Sequence, residues 1–182
     1  PVTIYHEIKK FEKEVKRNSS TYWLIFELMW REFFRYVAKK GKKNIFKING
    51  INGNIFNRNF NSDMDLFKKW CDGETGQEFI DANMVELNST GFMSNRGRQN
   101  VASYLINDLD LNWTWGAAYF ESKLIDYDVA SNWCNWMYMA GVGNNVRNWA
   151  FNPTKQSDMY DKAGKFRSLW LNKKFGQKII DF

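Results

Sequence analysis

No stretch of this chain alternates apolar and polar residues, whereas apolar side chains recur three and four positions apart almost throughout, so its segments bury a face as helices rather than strands. Ile4, Ile8, Phe11 and Val15 mark a first helix, and Ser19, Ser20 and Thr21 offer an N-cap before the apolar stretch from Trp23 to Val37. Asp63 predicts a cap for a short helix through Trp70 that Asp72 and Gly73 end. Phe79, Ile80, Met84 and Leu87 resume the stripe until Gly91. Ser94 opens a helix that Val101, Leu105 and Leu109 carry to Asn112, another runs from Thr114 to Ile125, and Asp128 caps one reaching Met139. The Gly- and Asn-rich text from Gly41 to Asn61 and the stretch from Gly141 to Pro153 read as irregular connections. Between Lys155 and Leu171 lie two short helical patches around Asp161 and Gly164. The fold class is all-α, and 182 residues suit one domain over 1–182.

A net charge of +6 and a pI of 9.2 favour a polyanionic partner, nucleic acid before an anionic membrane surface. Part of that excess lies in Lys39, Lys40, Lys42 and Lys43 and in Lys173, Lys174 and Lys178, which also read as solvated ends. Aromatic residues reach 18%, enough large planar side chains either to fill a core or to stack on a planar ligand. Cys71 and Cys134 have no CxxC spacing and no partner histidine, so neither zinc nor a disulfide framework is expected, and the compartment is reducing. With no apolar run of the roughly 18 residues that a span needs, a cytoplasmic protein without a membrane partner is expected. The three Asn-x-Ser/Thr triplets at Asn18, Asn88 and Asn112 are then chance matches. His6 is the sole histidine and has no Ser or Cys motif beside it, which argues against hydrolytic chemistry.

Three clusters carry the functional signal. Glu27, Trp30 and Arg31 share one helix face, either as an ion pair beside a packed indole or as ligand-facing groups. In Asn95-Arg96-Gly97-Arg98-Gln99, Asn95 and Gln99 share a face while two guanidiniums point elsewhere, a set suited to bases and phosphates. Asp126-Tyr127-Asp128 ends one helix and begins another, holding a carboxylate at a helix N-terminus where it stays ionised, with Arg98 as its candidate counter-charge. Asn132 and Trp136 follow Asp128 at four and eight positions, on roughly the same stripe.

At these residues the sequence resembles the FAD-binding helical domain of the photolyase and cryptochrome family, most closely its DASH-type members. The resemblance runs through Thr21 to Phe34, Thr90 to Ser103, Leu124 to Asn132 and Phe151 to Trp170, and Gly97, Gln99 and Tyr138 give it its DASH character. It implies FAD as cofactor, held by Arg31, Arg98, Asp126, Tyr127, Asp128 and Asn132, with Arg98 paired to Asp126 and Asn132 at the flavin N5. It also implies a DNA partner, single-stranded or with a flipped pyrimidine dimer, met by Glu27, Trp30, Asn95, Arg96, Gln99 and Tyr138. The family's electron relay matches Trp136 and Trp113 at its proximal and middle members, but Phe60 stands at the distal one. Blue-light repair of cyclobutane pyrimidine dimers is the implied activity. A non-catalytic flavin photosensor or nucleic-acid-binding module is the alternative that Phe60 favours. The family's N-terminal α/β antenna domain and its phosphate-holding Ser/Thr-Leu-Ser loop would lie upstream of Pro1, so the chain resembles the C-terminal part of that architecture, either as a fragment or as a reduced relative that binds FAD weakly or with a partner's help.

Overall fold

Most helices start here where a short polar side chain can take up free backbone N–H groups. In the computed structural model, which describes residues 1–52, 60–145 and 149–174, nine α-helices follow one another. They are α1 (Val2–Glu14), α2 (Ser19–Gly41), α3 (Met64–Asp72), α4 (Glu78–Thr90), α5 (Asn95–Ser103), α6 (Trp113–Lys123), α7 (Val129–Ala140), α8 (Pro153–Tyr160) and α9 (Lys165–Lys174). A 3₁₀ turn at Lys42–Phe46 follows α2, and a π turn at Tyr104–Asp108 continues α5. Among the described residues the only extended pairing is one bridge between Asn61 and Leu111, so the all-α expectation holds. Part of the Gly41–Asn61 connection, Lys178 and the side chains of Lys173 and Lys174 lie outside the described residues.

Asp63, Ser94, Asn112 and Asp128 cap α3, α5, α6 and α7 through their side chains, and Gly73 and Gly91 close α3 and α4 in the left-handed conformation. Two boundaries differ from the sequence expectation. The cap of α2 is Asn18 rather than Ser19 to Thr21. Asn18 Oδ1 accepts from the Thr21 N–H at 3.0 Å while the Thr21 hydroxyl accepts from the Asn18 N–H, a reciprocal box that outcompetes either serine. The helix begun at Ser94 does not reach Asn112. It widens into the π turn, Asp110 turns the chain at φ +54°, and Asn112 starts α6 instead. Asn18 and Asn112 are therefore caps, and Asn88 donates to the Cys71 carbonyl at 2.7 Å, which accounts structurally for all three Asn-x-Ser/Thr triplets.

α7 lies against both α2 and α6, and α4 against α3, α5 and α9. Trp70 and Trp113 are fully buried, each with its indole N–H on a backbone carbonyl, Val101 at 3.1 Å and Ile48 at 2.9 Å. Gly116 is what lets α6 and α7 meet: a Cβ there would lie 2.3 Å from Cη2 of Trp136. Both cysteines are buried and free, and burial pushes each thiol up to about 12, leaving them inert packing groups. No helix among the described residues is long and apolar enough to cross a membrane.

Candidate flavin and nucleic-acid site

A cavity of about 660 Å³ opens between α2, α5, α7 and the segment 149–151. Its wall from α2 carries Glu27, Trp30 and Arg31, the face expected from their spacing. Glu27 and Arg31 are not the ion pair considered above: Arg31 Nη1 lies 2.6 Å from Glu32 Oε1, so Glu27 stays on the cavity wall as a candidate acceptor. From α5 come Asn95, Arg96, Arg98 and Gln99. The Gln99 Oε1 atom is buried and meets no hydrogen-bond donor among the described residues, a polar atom that a ligand would satisfy.

The Asp126–Asp128 corner supplies the charged floor. Arg98 Nη2 lies 3.0 and 2.9 Å from the two Asp126 oxygens while its Nε donates to the Met93 carbonyl at 2.8 Å. The pairing is as expected, and it is open to solvent: the Asp126 side chain is 51% exposed. Asp128 accepts from the Ser131 N–H at 2.9 Å. That bond, followed by the fields of Arg31 and Arg35, holds its carboxyl below the usual range, so it is ionised as the helix-start argument required. Burial, then a hydrogen bond with Glu121, pushes the Tyr127 hydroxyl up to about 12, so it remains a neutral phenol.

Asn132, Trp136 and Tyr138 on α7 complete the wall. Asn132 Nδ2 donates to the Ala117 carbonyl at 2.9 Å, and because a carbonyl can only accept, this fixes the amide and leaves Oδ1 as its acceptor. Tyr138 stacks on Trp149 at 6.1 Å and Trp149 on Phe151 at 6.5 Å. The Arg96 guanidinium lies over both Phe151 and Tyr160, at 5.9 and 5.0 Å. Trp149 did not emerge from the sequence, since it sits in an irregular segment with no periodicity to place it. Every expected site residue lines this one cavity except Trp113, which stands behind it at the N-terminus of α6.

The chain also matches, over residues 23–178, the sequence profile of the FAD binding domain of DNA photolyase. It belongs to that family. The chain is 53% identical over 174 residues to a cryptochrome DASH of Synechocystis sp., a match that covers 94% of the chain and 35% of that relative. It is 51% identical over 172 residues to the cryptochrome DASH of Danio rerio, covering 94% and 33%. Its fold superposes on the crystal structure of a Synechocystis cryptochrome with a TM-score of 0.88 at 52% identity, over 93% of the chain and 35% of that structure. On an archaeal photolyase from Sulfolobus tokodaii, described with two FAD molecules, the TM-score is 0.77 at 33% identity, over 90% and 37%. The chain thus spans about a third of the length of these relatives. FAD is the cofactor of the family, and the cavity fits it. Aromatic walls, the unsatisfied Gln99 oxygen and the fixed Asn132 acceptor suit a planar, hydrogen-bonding ligand.

Proposed function

We propose that this domain holds FAD with Arg31, Arg98, Asp126, Tyr127, Asp128 and Asn132, and uses it for blue-light-driven repair of cyclobutane pyrimidine dimers in single-stranded DNA. The observation that carries the reading is the convergence of these residues with Glu27, Trp30, Asn95, Arg96, Gln99 and Tyr138 on one cavity. When bound, FAD would supply one-electron chemistry on absorbing light. The protein's own part is binding and orientation. Arg31 and Arg98 offer positive charge, and Asn132 presents an acceptor whose direction its bond to Ala117 sets. Trp30 and Tyr138, in edge contact at 6.0 Å, give an unstacked base an aromatic surface. Arg96, held between Phe151 and Tyr160, is a ready cation for a phosphate.

The test is to load the protein with FAD, reduce it chemically, mix it with a dimer-containing single-stranded oligonucleotide, and illuminate with blue light. Recovery of base absorbance supports repair. Binding of the oligonucleotide without recovery selects the second reading, a flavin photosensor or nucleic-acid-binding module. That second reading draws on Phe60, which packs on the core as a ring that cannot readily be oxidised. The upstream segments expected from the family, or a partner chain bearing them, belong in a parallel arm of the same assay.

A further inference from the structure

Phe60 leaves open where an electron hole would come to rest once Trp136 and Trp113 had passed it outward. Three buried indoles meet where α6 packs on α7. Trp136 and Trp133 stand one helical turn apart on α7, and Trp136 rests on Gly116, one turn along α6 from Trp113. The rings of Trp113 and Trp133 meet edge to face at 6.0 Å. Trp133 therefore touches the inner relay directly and lies a single turn from the cavity wall.

What separates Trp133 from the other indoles is its hydrogen-bond partner. Trp70 and Trp113 donate to backbone carbonyls, which cannot take a proton. Trp133 donates from Nε1 to Glu121 Oε2 at 2.9 Å, and Glu121 is exposed to solvent. Losing an electron turns the indole N–H from a very weak acid into one of about carboxylic strength, so a carboxylate on that N–H both stabilises the positive charge and can accept the proton. A competing branch leads from Trp136 to Trp70, centroids 6.2 Å apart, and on to Tyr119 at 5.7 Å. It ends without a base: the Tyr119 hydroxyl donates to the Asn88 amide oxygen at 2.6 Å, and burial pushes that hydroxyl up to about 12.

We propose that Trp133, with Glu121 as its proton acceptor, is the terminal electron donor of this domain. The proposal rests on the flavin reading above, with photoexcited oxidised flavin as the oxidant that takes up the electron. One electron passes from Trp133 to oxidised Trp113. The Trp133 N–H bond then breaks, its proton going to Glu121 Oε2 and its electron pair staying on nitrogen. A neutral indolyl radical and a carboxylic acid replace the indole and the carboxylate, and Glu121 gives the proton on to water. Because Glu121 is exposed, loss of that proton to water is what keeps the neutral radical from recovering it.

The experiment compares the parent, Trp133→Phe, Glu121→Gln and Trp136→Phe, all loaded with FAD, by transient absorption in H₂O and D₂O. In the parent, a neutral indolyl radical forms with a solvent isotope effect. Trp133→Phe abolishes that radical and shortens charge separation severalfold. Glu121→Gln, an exposed substitution that leaves the core intact, gives a protonated radical, loses the isotope effect and shortens the lifetime likewise. Equal lifetimes in the parent, Trp133→Phe and Glu121→Gln overturn the proposal, and the flavin reading survives if Trp136→Phe alone suppresses charge separation. If FAD does not bind at all, the flavin reading falls and flavin-free protein decides the local claim. There, azide radicals oxidise indoles directly, and peptide mapping locates the lasting oxidation. Accumulation at Trp133 that Glu121→Gln removes supports the Trp133–Glu121 pair, whereas accumulation elsewhere overturns it.

Discussion

Two aspartates with similar sequence settings have opposite energetic characters. Asp161 is 7% exposed, and burial by itself raises its carboxyl. The N–H groups of Phe166 and Arg167, at 2.9 and 3.1 Å, and the Arg167 Nε at 3.0 Å outweigh that and hold it below the usual range. Because the folded value is depressed, the unfolded chain binds the extra proton. The contribution is complete above the unfolded value of about 3.9 and is lost as pH falls through the folded value. Urea titrations should show Asp161→Asn less stable by about 2 kcal/mol near neutrality, from weakened charge-assisted bonds, with a flatter decline than the parent below about pH 4. Asp126, half exposed beside Arg98, belongs to the other class: Asp126→Ala should cost no more than about 1 kcal/mol in the same titration, while weakening FAD binding. The pairing of Arg98 with Asp126 was legible because two acids beside a matched arginine need one another. The solvent exposure that makes the pair energetically weak was not, since it depends on how the Gly91 and Ile125 backbones meet, by a 3.0 Å bond, next to it.

Elements are held to the cavity by close backbone approaches. At Gly97 a Cβ would lie 2.1 Å from the Asn83 Oδ1 atom, and Asn83 cannot withdraw, being buried with its amide on the Phe79 carbonyl at 2.6 Å. Gly97→Ala should therefore lower stability by about 1–3 kcal/mol by pushing α5 off α4. The same shift moves Arg96, Arg98 and Gln99 off the cavity wall, so FAD affinity, followed by flavin fluorescence quenching, should fall with it. Helix existence was readable from apolar spacing and from Asp63, Ser94 and Asp128, because those signals are local. The π turn after α5 was not. Its register depends on Asn107, whose amide reaches the Trp149 carbonyl at 2.9 Å, and on Ser103, whose hydroxyl accepts the Phe151 N–H at 2.8 Å, contacts more than forty residues away in the chain. The Trp133–Glu121 pair was hidden for the same reason, as it joins two helices whose mutual rotation no local pattern fixes.

For the whole molecule, α2 crosses the structure with its outward side apolar: Tyr22, Trp23, Leu24, Met29 and Phe33 are exposed while Phe34 is buried. The cavity opens beside the same helix, so ligand and stability are linked. FAD bound to the folded chain alone should raise the unfolding free energy by about 2.7 kcal/mol at a hundred times its Kd, a shift that calorimetry reads as a higher Tm. Unchanged Tm over a range of FAD concentrations would show that this length of chain does not bind it. The relay question scales up as well. Phe60→Trp would add an oxidisable ring where the resemblance places the relay's distal member, so the lifetime of charge separation should rise in that variant above the level set by Trp133. No change would mean that position 60 lies off the path.

The density of indoles at the α6–α7 contact also makes the fold visible to light that never reaches a flavin. Trp113, Trp133 and Trp136 stand in fixed edge contacts with other rings, at centroid distances from 4.9 to 6.2 Å. Rings so close and so oriented couple their near-ultraviolet transitions, and the resulting circular dichroism exists only while the two helices keep their mutual rotation. A state that retained its helices but loosened α6 from α7 would keep its far-ultraviolet spectrum and lose this one. The molecule thus carries an internal gauge of that seam, readable in flavin-free protein.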